Sequence, residues 1–331
     1  MRVGLIGAGR IGSLHADLLA NLPAIDHLVV ADIDAGRAAA LAAELGADHV
    51  SQPEDVFDRV DGVVIASATE THVPYVVAAA EHGVPAFCEK PLATDLAATN
   101  RALAVVHDTG SICQIGFMRR FDDGYVAARE TVSSGALGEL LLVVSQTHDI
   151  EPPPEAYVAE SGGVFADMLI HEFDVLRFVT GSEVVEVTAT GSNRSMPMFS
   201  EYEDLATAVV TATLDDDSVA VISGVRRDPL GYDVRMELFG TEDSVAVGLT
   251  PQTPLHSLEP GLDFAATSTP IGWIERFGAA YRAELETFID VAAGRTENPC
   301  TVDDARAALV IAEACKLAAA RRRPVRIEEI Q

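Results

Sequence analysis

A doubly wound, parallel α/β domain, followed by an α+β domain built on a large, mostly antiparallel open sheet, is the fold class that this 331-residue sequence predicts. Three observations lead there. A short apolar strand at the amino terminus runs straight into a glycine turn. Strands then alternate with helical patterns up to about residue 117, as in parallel sheets covered by helices. Beyond that point strands follow one another across short turns, the pattern of antiparallel pairing. The length asks for more than one core, and the expected division is 1–118 and 119–331.

The opening run RVGLIGAGRIGSLHADLLANL places Val3, Leu5 and Ile6 before Gly7, Gly9 and Gly12, with an amphipathic helix following at once. This is the G-x-G-x-x-G spacing in the strand–turn–helix setting it requires. In that setting Gly7 permits the tight turn, Gly9 lets a pyrophosphate approach the backbone, and Gly12 lets helix and strand pack closely. The helix start offers free N–H groups to the phosphates. A second strand, HLVVADID, ends in Asp32, twenty residues after Gly12. Its carboxylate is placed to accept adenosine ribose hydroxyls and to repel a 2′-phosphate, which favours NAD over NADP. Arg37 is either a solvated helix residue or a partner for such a phosphate. Gly7, Gly9, Arg10, Ile11, Gly12, Asp32, Ile33 and Arg37 are the cofactor-binding candidates of this stretch.

Helices through RAAALAAELG, THVPYVVAAAEHG and DLAATNRALAVVHDTG alternate with strands at DGVVIASAT, PAFCEK and SICQIGF. Ligands of such sheets bind beyond the carboxyl ends of the strands. Ser67, Thr69, His72, Glu89, Lys90 and Gln114 stand at or just after those ends. Each alone is ordinary loop polarity, and His72 reads equally as a helix-start residue; together they point to the cofactor crevice. Lys90 has a further mark. Of 23 basic residues only Lys90 and Lys316 are lysines, which leaves 21 arginines. A lysine amine, unlike a guanidinium, exchanges a proton when its surroundings shift it.

Composition narrows the partners. The 51 acidic residues against 23 basic ones give a net charge of −28, a surface that repels phosphate backbones and anionic lipid. Neither nucleic acid nor membrane is expected as a partner, and no apolar run is long enough to span a bilayer. Four cysteines without a CxxC pair suit reduced thiols in a cytoplasmic protein, and a first strand at Arg2 leaves no room for a signal peptide.

In the second half a helix through DDGYVAARETVSSG leads to a strand at ELLLVVSQTHDI. The strands EVVEVTATGS, DLATAVVTATL, SVAVISGVR, YDVRMELFG and SVAVGL follow the helix 163–180; a loop at 250–270 precedes helices at 274–293 and 302–322. One broad face of an open sheet needs cover, which suggests a homo-oligomer. On the helix 163–180, Asp167, His171 and Asp174 fall at i, i+4 and i+7 and share one stripe of an otherwise apolar element. Buried ionisable groups need partners. Three readings compete: a core histidine satisfied by a carboxylate, a metal site, and a general base held by a carboxylate, the last being preferred. No further cysteine or histidine stands at metal-ligand spacing, so no metal is expected.

The glycine fingerprint, Glu89-Lys90-Pro91 and Asp167 with His171 together resemble the family of glucose–fructose oxidoreductases and inositol dehydrogenases over nearly the whole chain. Within it, QIGFMRRFDDGY, DMLIHEFDVL, GYDVRMELFG and WIERFGAAY bring the likeness nearest to its bacterial inositol 2-dehydrogenases. The resemblance implies a Rossmann domain carrying NAD and a second domain for a small polyol, a cyclitol or a sugar. It implies Lys90, Asp167 and His171 as the catalytic set, with Met118, Arg119, His148 and Asp174 joining them around the substrate together with Tyr232. It also implies oxidation of a ring secondary alcohol of myo-inositol to the 2-keto inositol in inositol catabolism, and a homotetramer. Another cyclitol, an aldose, or a binding-only regulator of this fold are the alternatives.

Overall fold

The computed structural model describes residues 1–229, 231–248 and 272–330, and the expected loop at 250–270 lies outside the described residues. The chain divides into two compact units: Met1–Phe121 with Ala279–Ala307, and Asp122–Gly278 with Ala308–Gln331. A division at residue 118 follows the chain alone; the first unit takes up 279–307 as well.

The first unit holds β1 (Arg2–Ile6), α1 (Arg10–Ala20), β2 (His27–Ala31), α2 (Ala35–Leu45), β3 (Asp48–His49), β4 (Gly62–Ile65), α3 (Thr69–Glu81), β5 (Ala86–Glu89), α4 (Leu96–Thr109) and β6 (Cys113–Gly116), alternating as expected except for the two-residue β3, which the sequence reading did not mark. The strands form one sheet in the order β3-β2-β1-β4-β5-β6, with every neighbouring pair parallel. β4, β5 and β6 are buried throughout, the burial that parallel strands covered on both faces require. Strand order reverses between β1 and β4, and in such sheets the ligand crevice opens at that switch. The helices start where short polar side chains claim otherwise orphaned N–H groups. Asp34 accepts from Gly36 N–H at 2.9 Å ahead of α2, and Asp95 accepts from Ala98 N–H at 2.8 Å ahead of α4.

The second unit holds α5 (Asp123–Ser133), β7 (Leu140–His148), α6 (Glu155–Val158), α7 (Ile170–Thr180), β8 (Val184–Ser192), α8 (Met198–Glu201), β9 (Thr207–Leu214), β10 (Val219–Val225), β11 (Asp233–Gly240) and β12 (Ser244–Val247). After these come α9 (Trp273–Ala292), α10 (Val302–Arg321) and β13 (Val325–Arg326). Seven strands form a sheet in the order β12-β11-β7-β10-β9-β8-β13. β7 and β10 pair in parallel and the other neighbours pair antiparallel. Along β9 and β10 burial alternates residue by residue. Ala208, Val210, Ala212, Ala220 and Ile222 turn inward, while Val209, Val219 and Val221 remain exposed.

The expected single helix over 163–180 is a π-helical turn, Val164–Met168, followed by α7. The Leu169 N–H donates to the Val164 carbonyl five residues back, at 2.8 Å. The extra residue in that turn changes how Asp167 is aimed relative to α7, and π turns of this kind recur at functional sites.

The first unit's core joins Val3, Leu5, Val30, Val64 and Phe87 to Leu285, Phe288 and Ile289 of α9. Phe87 and Phe288 meet edge to face with ring centres 6.0 Å apart. That packing explains why 279–307 belongs to the nucleotide-type sheet. Among the described residues no helix is long and apolar enough to cross a membrane.

Candidate active site

The three fingerprint glycines do three different jobs. Gly7 has φ +108°, and a Cβ there would stand 2.5 Å from the Ala66 carbonyl oxygen. At Gly12 a Cβ would stand 1.9 Å from the Gly7 carbonyl oxygen, so the turn and α1 close on each other only through glycine. At Gly9 a Cβ would meet nothing within 4 Å, which leaves its face open to a ligand. The start of α1 carries no side-chain cap. Asp32 at the end of β2 is buried, and its carboxylate accepts the Ala8 N–H at 2.7 Å and the Asp34 N–H at 2.8 Å. Ile33 beside it is 85% exposed, and Arg10 and Arg37 are exposed. Arg37 Nη2 lies 3.9 Å from Asp32 and its Nε 3.3 Å from Asp34, so its charge is already directed at two carboxylates. An open glycine face, an uncapped helix start and a carboxylate at the second strand fit the pyrophosphate and ribose of NAD.

Around the ends of β4 and β5 the candidates are held by local hydrogen bonds. The Ser67 and Thr71 hydroxyls are 2.6 Å apart, and Thr69 begins α3 half-buried. His72 is buried between the Pro91 carbonyl, 2.8 Å from Nδ1, and the Ser67 carbonyl, 3.1 Å from Nε2. Burial lowers its pKa, so the ring is neutral and donates from one nitrogen at a time. His72 therefore stands between the loop after β4 and the residue following Lys90, bonded to one of the two carbonyls at a time. Lys90 itself is half-buried, and its backbone N–H donates to Glu89 Oε2 at 3.0 Å. Gln114 is fully buried and its amide donates to the Glu284 carbonyl at 2.9 Å. Met118 and Arg119 lie in a buried 3₁₀ turn, Met118–Phe121.

In the second unit the structure surrounds Asp167 with groups the sequence reading did not name. Asp167 Oδ1 accepts from the Tyr157 hydroxyl at 2.8 Å, and Oδ2 accepts from Arg226 Nη1 at 3.1 Å. Arg226 is 2% exposed and turns its other nitrogen toward Asp204, 3.6 Å away. Asp204 Oδ1 accepts the Val164 N–H at 2.7 Å and so holds the first residue of the π turn. One guanidinium thus serves two buried carboxylates, an arrangement that satisfies charges whose isolated burial would be costly.

His171 is half-buried on the first turn of α7, and Asp174 is buried one turn on. Between them, Glu172 is fully buried and accepts from the Ser145 and Thr147 hydroxyls of β7. His148 at the end of β7 has Asp228 3.2 Å from Nδ1 and the Ser223 hydroxyl 3.3 Å from Nε2. Asp233 sits opposite His148 in the β11 register, accepts from Gln146 Nε2 at 2.8 Å, and has its pKa raised by burial. Tyr232 is buried with its ring edge-on to Phe277, centres 6.4 Å apart.

Sequence reasoning missed Arg226, Asp204 and Tyr157, because strand-end and loop residues, and a helix of one turn such as α6, carry no periodicity that points inward. It also missed His15 and Glu284, although the test applied to Asp167 and His171, an ionisable residue on the apolar face of a helix, would have found both.

Residues 1–117 match the model of an oxidoreductase family with an NAD-binding Rossmann fold, and residues 125–246 match the GFO/IDH/MocA C-terminal domain. The chain belongs to the GFO/IDH/MocA oxidoreductase family. A myo-inositol dehydrogenase of Streptomyces leeuwenhoekii is 37% identical over 90% of each chain. The crystal structure of a myo-inositol dehydrogenase from Corynebacterium glutamicum is 36% identical, covers 98% of both chains and superposes with a TM-score of 0.90. A scyllo-inositol dehydrogenase from Lactobacillus casei, crystallised with NAD(H) and scyllo-inositol, is 28% identical over 99% of each chain with a TM-score of 0.86. As a member of the GFO/IDH/MocA family, the protein is an NAD-binding oxidoreductase with a Rossmann domain and a mainly antiparallel second domain.

Proposed function

We propose that the protein is an NAD-dependent inositol 2-dehydrogenase that oxidises a ring secondary alcohol of an inositol to the 2-keto product. The observation that carries this reading is full-length similarity to inositol dehydrogenases, at identities up to 37% over nine-tenths of the chain. Held along the turn of Gly7, Gly9 and Gly12 with Asp32 at its ribose, NAD would supply the hydride acceptor for the alcohol carbon. The chain's own residues handle position and proton. His171, as a neutral imidazole, takes the hydroxyl proton, while Asp167, fixed by Tyr157 and Arg226, supplies negative charge next to the turn that carries it. Lys90 donates a hydrogen bond to the reacting oxygen and stabilises the charge that develops there. Met118, Arg119, His148, Asp174 and Tyr232 contact the polyol, and Ser67, Thr69, His72, Glu89 and Gln114 shape the cofactor crevice.

Similarity to dehydrogenases of both myo- and scyllo-inositol supports a second reading at the level of isomer, with scyllo-inositol as the preferred substrate. NADH formation, followed by absorbance across a panel of inositols, glucose and galactose, separates the readings. Turnover of an inositol well above either sugar is expected; faster turnover of glucose or galactose would rule the assignment out.

The protein also works as a homo-oligomer, a tetramer by family likeness, and as a cytoplasmic enzyme with its four buried cysteines as thiols. Exposed Val209, Val219 and Val221 on adjacent antiparallel strands support a second copy covering that sheet face. Light scattering on the eluting protein tests this: a monomeric mass would remove the oligomer.

A further inference from the structure

Behind the Lys90 loop, the first unit buries a second ionisable group that the proposed chemistry does not use. His15 from α1, Glu89 from the end of β5 and Glu284 from α9 are 0%, 6% and 0% exposed. One nitrogen or oxygen atom from each lies within 4.8 Å of the other two. His15 Nε2 meets Glu89 Oε1 at 2.6 Å, and Glu89 Oε2 accepts the Lys90 backbone N–H. The Glu89 carboxylate therefore brackets the fingerprint helix to the residue that leaves β5. Both carboxyl oxygens of Glu284, and His15 Nδ1, are buried with no hydrogen-bond partner among the described residues.

The charge state follows from those partners. Two ionised carboxylates this close in a dry site repel strongly. A cationic His15 would offset one of them, but it would leave an N–H at Nδ1 with nothing to receive it. An unpartnered N–H on a cation costs more than the idle lone pair of a neutral ring, and an unpartnered O–H on a neutral carboxyl costs less than an unpartnered carboxylate. The neutral tautomer with its proton on Nε2 suits the geometry, donating to Glu89. Glu89 is then the one negative charge, held by His15 and by the Lys90 N–H, and Glu284 must carry a proton. Burial, then the charge of Glu89, pushes the Glu284 carboxyl well above the ordinary glutamate range. The remaining neighbours do not change this balance. β6 presents the neutral Gln114, Tyr281 stands edge-on to His15 with ring centres 5.9 Å apart, and burial pushes the Cys88 thiol far up, so it stays protonated. The direct contact between His15 and Glu89 also favours a proton over a metal ion, which would have to stand between them.

We infer that Glu284 is a positioning residue for Lys90: its neutral carboxyl lets the Glu89 carboxylate hold the Lys90 backbone, and ionising it places a second charge behind that loop. The inference rests on the reading of Lys90 as a contact to the reacting oxygen.

The test compares wild type with Glu284→Gln, an uncharged isostere, in the presence of NAD. The folded wild type keeps a proton where an unfolded glutamate has released it. The contribution of this group to stability is therefore greatest at low pH and falls as pH rises from about 4.3, the unfolded value, toward the raised folded value. Glu284→Gln has no such slope, so its thermal midpoint relative to wild type should climb as pH rises from about 5 until Glu284 ionises in the folded state. Once pH is high enough to ionise Glu284 in the folded state, wild-type kcat for inositol oxidation should decline relative to the variant, with the KM for NAD moving less.

Parallel stability curves overturn the inference, as does a stoichiometric divalent metal found in purified wild type and lost in the variant. If the variant does not fold, infrared difference spectroscopy of carboxyl-labelled wild type decides. A protonated carboxylic acid band persisting at neutral pH supports the inference, and its absence sinks it. Wild type that oxidises no inositol would fail the functional proposal alone, because the stability and infrared readouts do not depend on substrate.

Discussion

The two units bury carboxylates beside functional residues and settle them in opposite ways. In the second unit, Asp167 and Asp204 share the guanidinium of Arg226, which is itself almost fully buried. In the first, Glu89 and Glu284 lie together with His15, and among the described residues neither is paired with an arginine. The arginine solution is permanent, since a guanidinium never releases its proton. The proton solution is conditional, and it ties the local structure to pH. A charge needed in every state of the reaction suits the first arrangement; a position that is only to be held below a given pH suits the second.

Four substitutions test that contrast, in falling order of expected effect. His171→Ala should lower kcat by roughly 10²–10⁴, the usual worth of a positioned base, while leaving the Kd for NAD near its starting value. A near-wild-type rate would remove the proton chemistry from the second unit. Arg226→Ala strands Asp167 and Asp204 without their shared cation and should cost about 3–5 kcal/mol in stability by urea denaturation. A loss below about 1 kcal/mol would mean that these carboxylates are settled by protons too, and the contrast would collapse.

Asp32→Ala acts on the first unit alone. Losing charge-assisted bonds worth about 1.5–3 kcal/mol should raise the KM for NAD roughly tenfold or more and relax discrimination against NADP. Unchanged cofactor preference in steady-state kinetics would show that the second strand had been misread. Tyr157→Phe removes one hydrogen bond to Asp167 and should cost about 0.5–1.5 kcal/mol, seen as a several-fold fall in kcat/KM for inositol. Because Tyr157 is 46% exposed, the global denaturation midpoint should barely move.

The first sheet was legible almost strand by strand, because fully buried parallel strands read as apolar runs and the glycine spacing fixes the first turn. The second sheet was legible as a series of strands, but its order was not: nothing in the local pattern of LLLVVSQTH and VAVISGV says that β7 and β10 pair in parallel. The π turn was hidden for a similar reason. Periodicity reports an average near 3.6 residues per turn, and one added residue is lost in that average. At the site, Lys90 and His171 stood out because their residue types clash with their surroundings. Arg226 did not, since one arginine among 21 in a strand-end VRR looks like surface. The segment 279–307 joins the first unit through Phe288 and Leu285, a long-range packing choice that no local signal marks.

Asp32 has a consequence for anyone wishing to retrain the enzyme to the phosphorylated cofactor. The carboxylate proposed to meet the ribose also receives the Ala8 amide of the glycine turn at 2.7 Å. Removing its charge and removing its acceptor are separable operations: alanine does both, while asparagine or serine keeps an oxygen for the amide. A redesign, or a lineage drifting toward the other cofactor, therefore has a narrow gate at this position. Substitutions that keep a short oxygen-bearing side chain pass with the turn intact, and those that discard it must first find another brace for Ala8.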